Sequence, residues 1–144
     1  MLSGKEIKIL SHLRQDSRQR FISIARKTGL HKLTVSNITK KLQNKGIIKH
    51  TALLDFRNMG YGIITSFALK CRQKSRLNDF LFSHPNINSL STIKGNYDFF
   101  AEAVFRNMKD MHDFIEELDS FEIEDMQQIH LIEDIKKEAF VVSE

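Results

Sequence analysis

The stretch GLHKLTVSNITKKLQNKGII, Gly29 to Ile48, decides how the rest of the chain is read. Two glycines bracket a helical pattern in which the apolar residues Val35, Ile38 and Leu42 recur at i, i+3 and i+7. With the helix turned so that those three point inward, the opposite face carries Leu33, Ser36, Asn37, Lys40 and Asn44, with Lys41 at its edge. That face is polar and cationic, and no acidic residue occurs between Asp16 and Asp55. Surface helices ordinarily mix charge signs. A helix that offers hydrogen-bonding groups and only positive charge suits a polyanion, and the expectation is that it reads DNA in the major groove.

Charge is divided along the chain in the same sense. The formal net charge of +4 hides 12 Lys/Arg against 2 Asp/Glu in residues 1–50, and 10 against 16 in residues 51–144. An asymmetry of this size separates a nucleic-acid-binding half from a non-binding half. Aromatics follow it, since of eleven Phe only Phe21 precedes Phe56. The 144 residues are enough for one domain or two small ones, and the boundary is expected near Asp55–Gly60. No apolar run approaches a membrane span, and the start MLSGKEIKIL is too charged for a secretory signal. Cys71 is the lone cysteine, and no Cys/His pair has zinc-ligand spacing. These features predict a cytoplasmic, nucleoid-associated protein without metal, cofactor or membrane contact.

In the first half, Ser3 or Gly4 caps a helix running to about Arg14, with Ile7, Leu10 and Leu13 inward and Ile9 close to that side. A polar loop over Gln15–Arg18 leads to a short helix near Phe21–Lys27, where Phe21, Ile24 and Ala25 are spaced for burial. Gly29 supplies the positive φ of a tight corner between helices. Short helix, glycine turn and second helix make a helix-turn-helix. The β-prone run Ile47–Leu54 then predicts a short hairpin, which would complete a winged helix-turn-helix. A small helical domain with a solvated basic face is the plainer account of the same residues.

The second half changes period. Gly62–Cys71 alternates as a strand, Arg76–Ser83 follows as a helix, and Ile87–Lys94 and Tyr97–Phe105 form strands about a Gly95-Asn96 turn. Met108–Leu118 is an amphipathic helix, Met126–Ile135 a fourth strand and Ala139–Val142 a short fifth. The order β-α-β-β-α-β is a ferredoxin-like split unit, so the fold class is α+β. Its two helices cover one sheet face. The other face, carrying Phe100 and Val104, would remain open, and an apolar sheet face of that extent predicts a homodimer through the C-terminal sheet. Such a dimer would pair two reading helices on double-stranded DNA.

Taken as an ordered set, these pieces resemble the Lrp/AsnC, or feast/famine, family of prokaryotic transcriptional regulators. The matching residues are Ile9-Leu10, Asp16-Ser17-Arg18, Ile24-Ala25, Gly29-Leu30, Thr34-Val35, Leu42 and Gly46-Ile47-Ile48. Leu54-Asp55 with Met59-Gly60-Tyr61 resembles the family's hinge, and Gly95-Asn96-Tyr97-Asp98 its Gly-x-Tyr-Asp turn. The resemblance implies a DNA-binding domain over 1–54, a hinge over 55–61, and a RAM/ACT-like effector-binding and oligomerisation domain over 62–144. It also implies dimers that often form octamers, and amino-acid effectors held near the Gly-x-Tyr-Asp turn. Departures occur at His31, where the family usually has Ser, at Ile38, where it has Arg, and at Lys94-Gly95-Asn96. Ser is the stronger helix cap, so a different helix start and a different operator are expected.

For base contacts the candidates are Lys32, Thr34, Ser36, Asn37 and Lys40: an amide can bind adenine bidentately and a lysine can reach guanine. Arg18, Arg20, Arg26, Lys41, Lys45 and Lys49 are the candidates for phosphates. Gly95, Asn96, Tyr97 and Asp98 are the effector candidates, with Asp98 accepting from a ligand ammonium or, equally simply, satisfying turn amides. Two other functions fit parts of the chain. One is an architectural protein that coats DNA without an effector. The other is an enzyme like the sirohaem decarboxylases, whose Trp-Pro-Tyr-Asn stretch is missing from a chain that contains no Trp.

Overall fold

The computed structural model describes residues 2–137 and residue 140. Among the described residues the chain forms two compact units, residues 54–135 and residues 2–53 together with Lys136, Lys137 and Phe140. The boundary falls one residue before the one expected, and Lys136, Lys137 and Phe140, assigned from sequence to the second domain, group with the first unit.

The first unit is built on α1 (Gly4–Gln15), α2 (Phe21–Thr28) and α3 (Lys32–Asn44). Helix α1 opens with a capping box: the Glu6 N–H donates to Ser3 Oγ, and the Glu6 carboxylate accepts from the Ser3 N–H. Ile9 is fully buried and Leu10 and Leu13 nearly so, while Ile7 is only half-buried. The inward face is therefore turned toward Ile9 relative to the expectation. Ile9, Leu13, Ile24, Ala25 and Val35 form one core, against which Phe21, Leu30, Ile38 and Ile48 pack. Ile38 stands where the resembled family has Arg, and here it is core. Gly29 closes α2 at φ 70° with its N–H on the Ala25 carbonyl, the left-handed geometry that lets α3 leave at a sharp angle.

The expected wing hairpin does not form. Among the described residues, 47–54 carry no strand, and the Ile47 N–H instead donates back to the Leu42 carbonyl. The run has β-branched residues but no Gly or Asn between Ile47 and Leu54 to supply the positive φ of a two-residue hairpin turn. An isolated ribbon without such a turn is marginal in water.

The second unit holds β1 (Ile63–Cys71), α4 (Lys74–Ser83), β2 (Ile87–Thr92), β3 (Phe99–Phe105), α5 (Met108–Leu118) and β4 (Ile123–His130). Its sheet has the order β2-β3-β1-β4, and all three pairings are antiparallel. This is the ferredoxin-like arrangement that the element order predicted. Phe67, Leu69, Phe99, Ala103 and Phe105 face Leu77 and Leu81 of α4 and Met111, Phe114 and Leu118 of α5. Phe114 is central, with ring centroids 5.4 Å from Phe67 and 5.5 Å from Phe105. Strand β4 starts three residues earlier and ends five earlier than expected. A single 3-10 turn, Asp119–Phe121, and the left-handed Glu122 (φ 53°) put Ile123 directly opposite Cys71. The predicted fifth strand falls mostly outside the described residues, and Phe140 carries no strand.

The sheet face away from the helices alternates with the first: Ile64, Ser66, Ala68, Phe100, Glu102, Val104, Gln127 and Ile129. It is mixed rather than uniformly apolar. Phe100 and Ile129 are 38% and 44% exposed, while Ile64, Ala68 and Val104 between them are nearly buried.

Candidate nucleic-acid interface and effector turn

Helix α3 presents its polar, cationic face because its other side is committed to the core. Val35, Thr39 and Leu42 are buried, and the Thr39 hydroxyl is absorbed by the Val35 carbonyl at 2.9 Å. Leu33, Asn37, Lys40 and Asn44, spaced i, i+4, i+7 and i+11, form the exposed stripe. Thr34 and Ser36 are half-buried at its two edges and Lys32 is exposed. The sequence-predicted base contacts are thus brought together on one helix, three of them open to solvent.

His31 caps this helix despite replacing the usual serine. Its Nδ1 accepts from the Leu33 N–H at 3.3 Å, so the helix starts at Lys32. An imidazole can do this only with Nδ1 unprotonated, which makes the cap a tautomer-specific one.

The predicted phosphate contacts divide. Arg18, Arg20, Arg26, Lys45 and Lys49 are exposed, and among the described residues no carboxylate lies within ion-pair distance of any of them or of Lys32 and Lys40. Arg18 is placed by an Asx turn, its N–H donating to Asp16 Oδ1 at 2.9 Å. Lys41 is different. Its ammonium sits 2.8 Å from Glu6 Oε1, on a carboxylate that is only 7% exposed. The Lys41 contact and the donors of Ser3 hold the Glu6 carboxyl down to about 2. Lys41 is thereby a tie between α3 and α1, with its own side chain 55% exposed. Glu6 went unnoticed in the sequence because its partner is 35 residues away; the capping-box spacing Ser3-Glu6 was the only trace.

In the second unit the turn between β2 and β3 is wider than a two-residue hairpin. It is closed by the Ile93 N–H on the Asp98 carbonyl, and Gly95 sits at φ 135°, a value foreign to residues with a Cβ. Asp98 is heavily engaged. Its N–H donates to the Leu69 carbonyl, its Oδ2 accepts from the Cys71 N–H at 3.1 Å, and its Oδ1 lies 2.5 Å from Lys74 Nζ. Lys74, with the Cys71 N–H, holds the Asp98 carboxyl below its ordinary range, and Asp98 in turn raises the Lys74 ammonium. Tyr97 is half-buried, and a hydrogen bond to the Asp125 carboxylate pushes its phenol up. Gly95 and Asn96 are exposed. The four residues thus adjoin one another, and Lys74, unnoticed in the sequence, occupies the carboxylate that a ligand ammonium would seek. Among the described residues no cluster has the makings of a metal site, and no helix is long and apolar enough to cross a membrane.

A three-helix unit with an acid-free third helix, joined to a ferredoxin-like αβ unit, has the architecture of a helix-turn-helix protein with a second αβ domain. The family comparisons agree in both parts. The model described as winged helix-turn-helix DNA-binding matches residues 2–49, and the Lrp/AsnC ligand binding domain matches residues 68–139, half of the chain. The chain belongs to the Lrp/AsnC family of helix-turn-helix transcriptional regulators. It is 28% identical over 142 residues, 96% of each chain, to an uncharacterised helix-turn-helix regulator of Pyrococcus horikoshii. It is 27% identical over 128 residues, 84% of this chain and 82% of the relative, to the leucine-responsive regulatory protein of Rhizobium meliloti. A transcriptional regulator of Neisseria meningitidis, solved as its L-Met complex, shares the fold at a TM-score of 0.87 with 22% identity, over 95% of this chain and 94% of that one.

Proposed function

We propose that this regulator works as a homodimer that places two copies of α3 in successive major grooves of double-stranded DNA, with Asn37, Lys32 and Lys40 at base edges and Thr34 and Ser36 beside them. Arg18, Arg20, Arg26, Lys45 and Lys49 then hold phosphates and set the register. The observation that carries this reading is the exposed stripe of α3 within a chain segment free of acids from residue 17 to residue 54. A solvated helix with no ligand has no reason to exclude carboxylates, which would stabilise it through i,i+4 pairs. The two-fold pairing is supported by the exposed apolar side chains Phe100 and Ile129 on the sheet face away from the helices. A regulator of this kind associates with the nucleoid and needs no cofactor or catalytic group.

The same reading gives the second domain an amino-acid effector at Gly95–Asp98. The matched ligand-binding family supports it, as does the fold shared with a protein solved with L-Met. Here an effector ammonium would reach Asp98 only by displacing Lys74.

The test is selection of duplexes from a random pool by the full-length protein, followed by affinity for selected and random DNA across a salt series. A selected motif with two-fold symmetry, bound at least a thousandfold more tightly than random DNA, is the expected result. Equal affinities and equal salt slopes would replace the reading by an architectural one. Binding of a tetrapyrrole would reopen the enzyme.

A further inference from the structure

Leu33 breaks the chemistry of the face it stands on. It is 63% exposed in the first turn of α3, on the stripe with Asn37, Lys40 and Asn44 and beside Lys32. Its backbone N–H is held by His31 Nδ1, so the turn that presents it is fixed rather than frayed. Single exposed leucines are ordinary on protein surfaces, and exposure alone would carry nothing. The position carries it. The N-terminal turn of a reading helix is the part that meets base edges. Every other centre of that stripe is an amide or an ammonium, so an apolar protein partner would bury unpaired polar groups to reach one leucine. The major groove presents one apolar group among its donors and acceptors, the C5-methyl of thymine.

We propose that Leu33 reads a thymine by packing on its C5-methyl, one such contact in each half-site. The inference rests on α3 entering the major groove, and it adds a specificity residue that the polar readers do not supply. Asn37 can choose adenine by its hydrogen bonds. Leu33 chooses thymine by shape and water exclusion, with no hydrogen bond made. Burial of a methyl-sized group is worth ~0.8 kcal/mol, which is about fourfold in affinity.

The experiment uses duplexes selected by the full-length protein. Each thymine of the motif is replaced singly by uracil, which removes the methyl and keeps every hydrogen-bonding group. Dissociation constants are measured for the wild-type protein and for Leu33→Ala, which leaves the core untouched and favours helix. The expected result is one thymine per half-site whose replacement costs the wild type about fourfold and costs Leu33→Ala nothing. Equal losses for both proteins, or no sensitive thymine, overturn the proposal while leaving α3 as the reading helix. If no motif is selected, or if Asn37→Ala and Lys40→Ala bind as the wild type does, the underlying reading falls and the proposal with it.

Discussion

A buried carboxylate inside a strongly basic unit survives only when donors surround it, and Glu6 has Ser3 and Lys41. Because its folded carboxyl is held down to about 2 against the usual 4.5, the stabilisation is complete above about 4.5 and fades as the pH falls toward 2. Glu6→Gln should therefore lower stability at neutral pH, and the gap to wild type should close through that window. Urea midpoints measured from pH 7 downward check it, and a gap that stays constant with pH would remove the ion pair from the account. On the reading face the expected effects are chemical rather than structural. Asn37→Ala should relax discrimination at one base pair by about 1–3 kcal/mol. Lys40→Ala should weaken binding to selected DNA. Base preferences from a repeated selection distinguish the two, since an unchanged preference for Asn37→Ala takes that residue off the reading list.

Secondary elements were legible where periodicity met a boundary residue. The three helices of the first unit follow from 3.6-residue spacing and from Gly29, the strands from the switch to alternation after Gly62, and the sheet order from the β-α-β-β-α-β sequence of elements. What stayed hidden depends on partners distant in sequence. Lys74 meets Asp98 only because β1 delivers Cys71 beside the turn before β3, and Lys41 meets Glu6 only because α3 crosses α1. The wing failed for the opposite reason: β-propensity was present, but neither a turn residue nor a third strand gave it anything to pair with. At this scale Leu42, in the last turns of α3, is fully buried. Leu42→Ala should cost about 2–5 kcal/mol in the unfolding free energy, read from a shift of the denaturant midpoint at constant slope. A cost under about 1 kcal/mol would mean that the Leu42 side chain is not packed as its burial indicates.

For the whole molecule the question is what the second unit contributes to DNA binding, given that its own charge balance is acidic. If it joins two copies through the open sheet face, then affinity for a two-half-site duplex comes from linkage, and each α3 alone binds weakly. Phe100 and Ile129 are the exposed apolar side chains of that face, and Glu102 and Gln127 flank them. The substitutions Phe100→Asp and Ile129→Asp, made together, place charge where a partner would pack and leave the helix-side core unchanged. Sedimentation should show monomers where the wild type sediments as a dimer or a larger assembly. Affinity for the two-half-site duplex should drop by about 10²–10⁴-fold, the scale of lost bivalency, while affinity for an isolated half-site stays as it was. A double variant that sediments like the wild type would move the interface off this face. A monomer that still binds the full site tightly would separate DNA affinity from dimerisation altogether.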